Sequence, residues 1–163
     1  MKNKNTLSGM RLTLRSSGKK TLPPLLDSFL QRIDPAVSNE RHHELLHALR
    51  LRGKRLRYAM EMYMPAYKRP FKNCLDSVKE ILSTLGRIHD LDVNLPILKQ
   101  YIRQVGHFNS RIKNRSLKIH TMGLRRFIHR LEEERHEKYL LLCKQLLQWK
   151  QGDFRQHFIT SIR

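Results

Sequence analysis

Four side chains able to hold an anion recur at helical spacing along one short stretch: His47, Arg50, Lys54 and Arg57, with the hydroxyl of Tyr58 beside them. At 3.6 residues per turn they share one edge of a helix, and Arg52 and Arg55 lie further round. Like charges three or four residues apart repel by roughly 0.2–0.5 kcal/mol per pair. Solubility alone would favour mixed signs, yet Glu61 is the only acid near this row. A row of one sign that carries its own repulsion points to an anion that neutralises it. The donors suit phosphate: guanidinium forks grip two oxygens at once, lysine adds a point charge, and imidazole and phenol donate single hydrogen bonds. Helix rise separates His47 from Tyr58 by about 16 Å, enough for several successive phosphates.

The same stretch carries a core-seeking stripe of Leu45, Leu46, Leu49, Leu56, Met60 and Tyr63. Leu51 and Met62 fall beyond the cations, so both flanks of the row are apolar and the row is expected in a cleft. This helix is predicted from about Asn39 to Met64-Pro65. A third helix, about Phe71 to Asp90, has a core face of Phe71, Leu75, Val78, Leu82 and Leu85. Its polar face offers Lys72, Lys79 and Arg87 as an opposing cationic rail.

The remaining elements are all helical too. Residues 1–21 read as a flexible basic tail, and 22–163 as a single domain. Pro23-Pro24 is predicted to open a first short helix, which Asp34-Pro35 ends. Asp92 or Asn94 can cap a further helix with Pro96 in its first turn, running to Gly106. A long helical segment from about Ser110 to Trp149, bent near Gly123, follows. Its first half holds Arg111, Lys113, Arg115, Lys118, Arg125, Arg126 and Arg130 without an acid, before Glu132, Glu133, Glu134 and Glu137 restore balance. Gly152-Asp153 makes a turn and cap before a last short helix of Phe154, Phe158 and Ile162. No β alternation is present, and the expected architecture is an all-α bundle of about six helices.

Composition narrows the partner. With 163 residues and a net charge of +19, the chain is far more basic than an ordinary soluble domain. Such charge bears on partners rather than fold: nucleic acid, an acidic membrane surface, or a phosphate polymer. Cys74 and Cys143 lack metal-ligand spacing and read as core residues of a reducing, cytoplasmic compartment. No apolar run approaches the roughly 20 residues needed to cross a bilayer. The basic, acid-free start could imitate an organellar transit peptide, and a basic tail is the simpler expectation.

Three blocks resemble the CHAD family, the conserved-histidine α-helical domain. LHALRLRGKRLRYAMEMY is similar to the family's His-x-x-Arg-x-x-x-Lys/Arg-Arg-x-Arg helix, with His47, Arg50, Lys54, Arg55 and Arg57 in place. LGRIHDLDV is similar to its Leu-Gly-x-x-Arg-Asp-x-Asp-Val turn, through Leu85, Gly86, Asp90, Asp92 and Val93. A looser third block runs from Leu124 to Phe158. The resemblance spans roughly residues 22–162. It implies binding of inorganic polyphosphate, without cofactor or catalysis, and association with polyphosphate granules. His89 stands where the pattern shows arginine. The resemblance also implies two tandem repeats around a basic channel, whereas one repeat is legible here, so either phosphate lies along an open groove or, the favoured expectation, a homodimer rebuilds the channel.

Other functions make weaker claims on these residues. Nucleic-acid binding would give the same salt-sensitive attraction, but no helix-turn-helix, zinc-finger or RNA-recognition signature accompanies it. Aromatics are not interleaved with the row as stacking platforms would be. A membrane-surface role would want aromatic anchors opposite a basic face, and is not expected. His42, His43, His47, His89-Asp90 and Asp153 resemble the residue order of metal-dependent HD-type phosphohydrolases. Cations at Arg50, Lys54 and Arg87 would repel that metal, so no metal site is expected. Asp90 and Asp92 are expected to cap a helix or orient arginines of the row.

Overall fold

The computed structural model describes residues 2–163, with side chains from Thr13 onward. Six α-helices follow one another: α1 (Lys2–Leu30), α2 (Ile33–Val37), α3 (His43–Tyr63), α4 (Arg69–Arg111), α5 (Met122–Gln151) and α6 (Phe154–Ser161). Short 3-10 turns, Met64–Ala66 and Arg115–Leu117, complete the all-α fold, and no strand occurs among the described residues.

The apolar stripes explain how the helices assemble. Leu49, Leu56 and Met60 of α3, Phe71, Val78 and Leu85 of α4, Leu142 of α5 and Phe158 of α6 are all buried in one core. The predicted faces of α3 and α4 therefore point inward as expected; only Leu45 is partly covered. Register between α3 and α4 is antiparallel. It is fixed by Glu61 against Lys79 at 3.2 Å and His47 against His89 at 3.3 Å. Between these, a Cβ on Gly53 would stand 2.7 Å from Leu82 Cδ2 and 2.9 Å from Phe29 Cε2. Glycine is what lets α1, α3 and α4 close at that point.

Packing overrides local signals at both ends of the prediction. Residues 2–21, expected as a flexible tail, are helical and continue through Pro23 and Pro24; Met1 lies outside the described residues. Leu22, Leu26 and Phe29 are fully buried, and burial of each contributes roughly 2 kcal/mol. That is comparable with the roughly 3 kcal/mol penalty of a helical proline, before further contacts are counted. Those contacts lie within the supposed tail. Ser17 Oγ meets Tyr63 Oη at 3.0 Å, and Tyr67 Oη donates to the Arg15 carbonyl at 3.0 Å. Gly18 is buried against Tyr67, where a Cβ would come within 2.5 Å of the hydroxyl.

Asp92 and Asn94 cap nothing, because α4 runs unbroken past Pro96. Leu91, Leu95 and Ile128 are buried between α4 and α5, and this packing carries the helix through the hydrogen bond that Pro96 removes. The helix predicted from Ser110 divides instead. Residues 112–121 form a connector, and Gly123 lies in the first turn of α5. At the other end, Asp153 caps α6 as expected, accepting from the Gln156 amide at 3.2 Å.

Candidate anion-binding site

The core face of α3 leaves His47, Arg50, Lys54 and Arg57 on its α4-facing edge, each partly buried. None of His47, Arg50 or Lys54 has a carboxylate within ion-pair distance among the described residues; Glu61 stands at the far end of the row, 3.9 Å from Arg57 Nε. That Nε is buried without a hydrogen-bond partner. Tyr58 lies beside them, with the Arg57 guanidinium 4.7 Å and the Lys54 ammonium 5.9 Å from its ring centroid. Arg55 is exposed on the outer face.

Under this row, α4 presents small residues. Lys79 and His89 touch α3 at either end of the seam, and helical spacing places Ser83 and Gly86 on the same face between them. A Cβ at Gly86 would have open space, with nothing within 4 Å. The seam is therefore a shallow trough with cations along its α3 wall.

The opposing cationic rail does not form. Arg87 lies on the other edge of α4, where Nε and Nη2 each donate to Glu134 at 2.6 Å. Those two hydrogen bonds hold the Glu134 carboxyl below its ordinary range and raise the Arg87 guanidinium. Lys79 is matched by Glu61, and Lys72 is exposed without an ion-pair partner among the described residues. Arg52 turns towards α1, with Nη1 3.3 Å from Ser28 Oγ. The second apolar flank is also uncovered: Leu51, Tyr58 and Met62 are exposed, so the trough has one wall and an open side.

A polar cluster that sequence reasoning missed lies at the N-terminal end of α3. Arg135, only 8% exposed, donates to Asp92 Oδ1 at 2.7 Å, Glu40 Oε1 at 2.8 Å and the Glu40 carbonyl at 2.8 Å. His43 Nδ1 is 2.8 Å from the same Asp92 oxygen. Asp92 thus orients a buried arginine of α5 rather than the α3 row. The one available signal was an arginine placed between Ile128, Tyr139 and Leu142 on the buried face of its helix. Asp90 is exposed, and its backbone carbonyl accepts from Asn94.

The histidines and aspartates of the metal-hydrolase ordering are dispersed. His43 pairs with Asp92, His47 with His89, and Asp153 caps α6. Among the described residues no group of three His, Cys, Asp or Glu side chains stands close enough to hold a metal ion. Cys74 and Cys143 are free thiols, both raised in pKa chiefly by burial. No helix among the described residues is long and apolar enough to cross a membrane.

Fold and site thus define an all-α protein with a cationic row along the α3–α4 seam, unmatched at His47, Arg50 and Lys54 among the described residues. The family model of the CHAD domain matches residues 5–99, more than half of the chain and all of α3 and the trough-forming part of α4. The chain belongs to the CHAD-domain family, which is associated with polyphosphate binding. No curated protein and no solved structure matches it.

Proposed function

We propose that this chain is a non-catalytic module that holds linear inorganic polyphosphate in the α3–α4 trough. One observation carries the reading: His47, Arg50 and Lys54 line one wall with no carboxylate to match them among the described residues. Arg50, Lys54 and Arg57 supply the charge, His47 and Tyr58 single hydrogen bonds, and Arg55 and Lys72 flank the path. Charge-assisted hydrogen bonds of this kind are roughly twice as strong as neutral ones. Ser83 and Gly86 leave a floor on which an unsubstituted phosphate chain fits. Stacked bases would need more width and aromatic platforms. Recruitment to polyphosphate granules would follow from such binding.

We further propose that a second copy of the chain covers the open side. Leu51, Tyr58 and Met62 are exposed directly beside the cations, and a two-fold axis there would face one cationic row with another across the polymer. The mass of the protein in solution tests this directly; a monomer that binds polyphosphate at full affinity would exclude it.

The main reading is tested by competition. Labelled long-chain polyphosphate is bound at fixed, moderate salt and challenged with single- and double-stranded DNA. Polyphosphate should persist at equal phosphate concentration. Equal displacement by DNA would instead make the protein a general nucleic-acid binder, since counterion release serves any polyanion. Reversing the charge of Arg50 and Lys54 together should remove binding at the α3 row, seen as a loss of affinity of about tenfold or more, and leave helicity intact, because neither belongs to the core.

A further inference from the structure

The stretch between Asp92 and Glu132 contains nine Lys and Arg residues, three His, and no Asp or Glu. Most of it lies beyond residue 99, where the family match ends. It folds as the outer half of the α4–α5 hairpin, with the connector 112–121 at its tip. Below the tip, Leu91, Leu95 and Ile128, with Leu98, Ile102, Leu124 and Leu131 packed against them, make the hairpin a closed arm.

The connector is fixed in place. Asn109 clamps it with two hydrogen bonds: Nδ2 donates to the Ile119 carbonyl at 2.8 Å, and Oδ1 accepts from the Ile119 amide at 2.9 Å. Asn114 Oδ1 accepts from the Ser116 amide at 3.1 Å. These bonds hold Arg115, Lys118 and Arg125 around a concavity of about 330 Å³, together with His120. Among the described residues the Arg125 side chain reaches only the Thr121 hydroxyl, at 3.3 Å. Among the described residues, Lys99 is the only Lys or Arg of the stretch with an ion pair, to Glu132 at 2.5 Å. Like charges are thus held together by a built loop and left without carboxylate partners among the described residues.

We propose that the hairpin tip is a second anion-binding surface, and that it grips the same phosphate polymer as the α3 row. This inference rests on the proposed function. His89, level with the row, is 22 residues from Arg111 along α4, about 33 Å of helix. Chains shorter than that distance occupy one site at a time. Longer chains bridge both, and the second contact becomes intramolecular, raising avidity without any new interaction. At about 0.1 M salt the Debye length is near 10 Å, so charges at the tip are not felt at the row.

The test compares size-fractionated polyphosphate, one fraction shorter and one much longer than this span, at about 0.1 M salt. The wild-type chain should bind the long fraction about tenfold or more tightly per phosphate than the short one. The triple variant Arg115→Gln, Lys118→Gln, Arg125→Gln should lose that preference and keep its short-chain affinity, with an unchanged circular dichroism spectrum. The double variant Arg50→Gln, Lys54→Gln should weaken short-chain binding to what the tip alone holds, and should also lose the preference for long chains. A triple variant that binds long chains like the wild type overturns the inference and leaves the function standing. So does a triple variant that loses binding only to DNA or to anionic vesicles. A wild-type chain that binds neither fraction removes the proposed function itself.

Discussion

His47 and His89 face each other across the α3–α4 seam, with Nδ1 atoms 3.3 Å and ring centroids 4.8 Å apart. For these nitrogens to hydrogen-bond, one ring donates and the other accepts. The accepting neutral ring carries its proton on Nε2, which meets no acceptor among the described residues. The pair thus keeps one N–H unspent beside Arg50 and Lys54, and it fixes the ring of His47 in the wall. Replacing His89 with leucine frees His47 to rotate. The expected result is a loss of polyphosphate affinity of about 1 kcal/mol, roughly fivefold, in direct binding measurements. His89→Asn, which can still bond to the His47 nitrogen, should recover part of it.

Arg87 serves a different seam. Because its fork is spent on Glu134 at the α4–α5 interface, Arg87→Gln should leave polyphosphate affinity within about twofold of wild type. Both side chains are partly exposed, so the stability lost should be no more than about 1 kcal/mol in urea unfolding. The carboxyl of Glu134 is lowered in the folded state, so its contribution is complete above the ordinary carboxylate range. It disappears as pH falls through the lowered folded value. The stability difference between wild type and variant should therefore shrink in acid, below about pH 4.

The contrast between Arg87 and the α3 row shows where sequence is informative. Helical period alone separated the core faces of α3 and α4 from their polar faces, and Phe71, Val78, Leu85, Leu49 and Met60 are buried accordingly. A polar face has two edges, however, and period cannot say which neighbour each edge will meet. Lys79 and Arg87 share one polar face on α4, yet Lys79 meets α3 and Arg87 meets α5. Prolines misled for a related reason. Pro23, Pro24 and Pro96 are local signals against a helix, and the burial that overrides them comes from residues distant in sequence. The Arg135 cluster was invisible because its carboxylates, Glu40 and Asp92, come from two other segments.

Arg135 should matter for stability rather than binding. It lies beneath the surface with hydrogen bonds to Asp92, to the Glu40 side chain and to the Glu40 carbonyl, tying α5 to α4 and to the entry of α3. Removing one partner of a buried charge network leaves the others uncompensated, at a cost of roughly 3–5 kcal/mol. Arg135→Met is expected near the lower end, since Glu40 retains His136 at 2.8 Å and part of the site is open to water. Arg135→Lys should not restore stability, because an ammonium cannot reproduce the planar fork. Thermal or urea unfolding would measure both; a variant as stable as wild type would show the cluster to be dispensable.

Gly86 separates a binding role from a packing role most cleanly. It lies in the interior of α4, its φ is not positive, and a Cβ there would touch nothing within 4 Å. Glycine at such a position weakens a helix by roughly 0.8–1 kcal/mol relative to alanine, so packing gives no reason for it. The trough gives one, because a larger side chain would rise from the floor beneath Arg50 and Lys54. Gly86→Ala should raise stability by up to about 1 kcal/mol and change affinity little. Gly86→Phe should keep the helical spectrum and unfold at or near the wild-type midpoint, yet lose polyphosphate affinity by about tenfold or more, some 1.4 kcal/mol. If the phenylalanine variant bound as tightly as wild type, the polymer could not lie in the α3–α4 trough, however many cations line its wall.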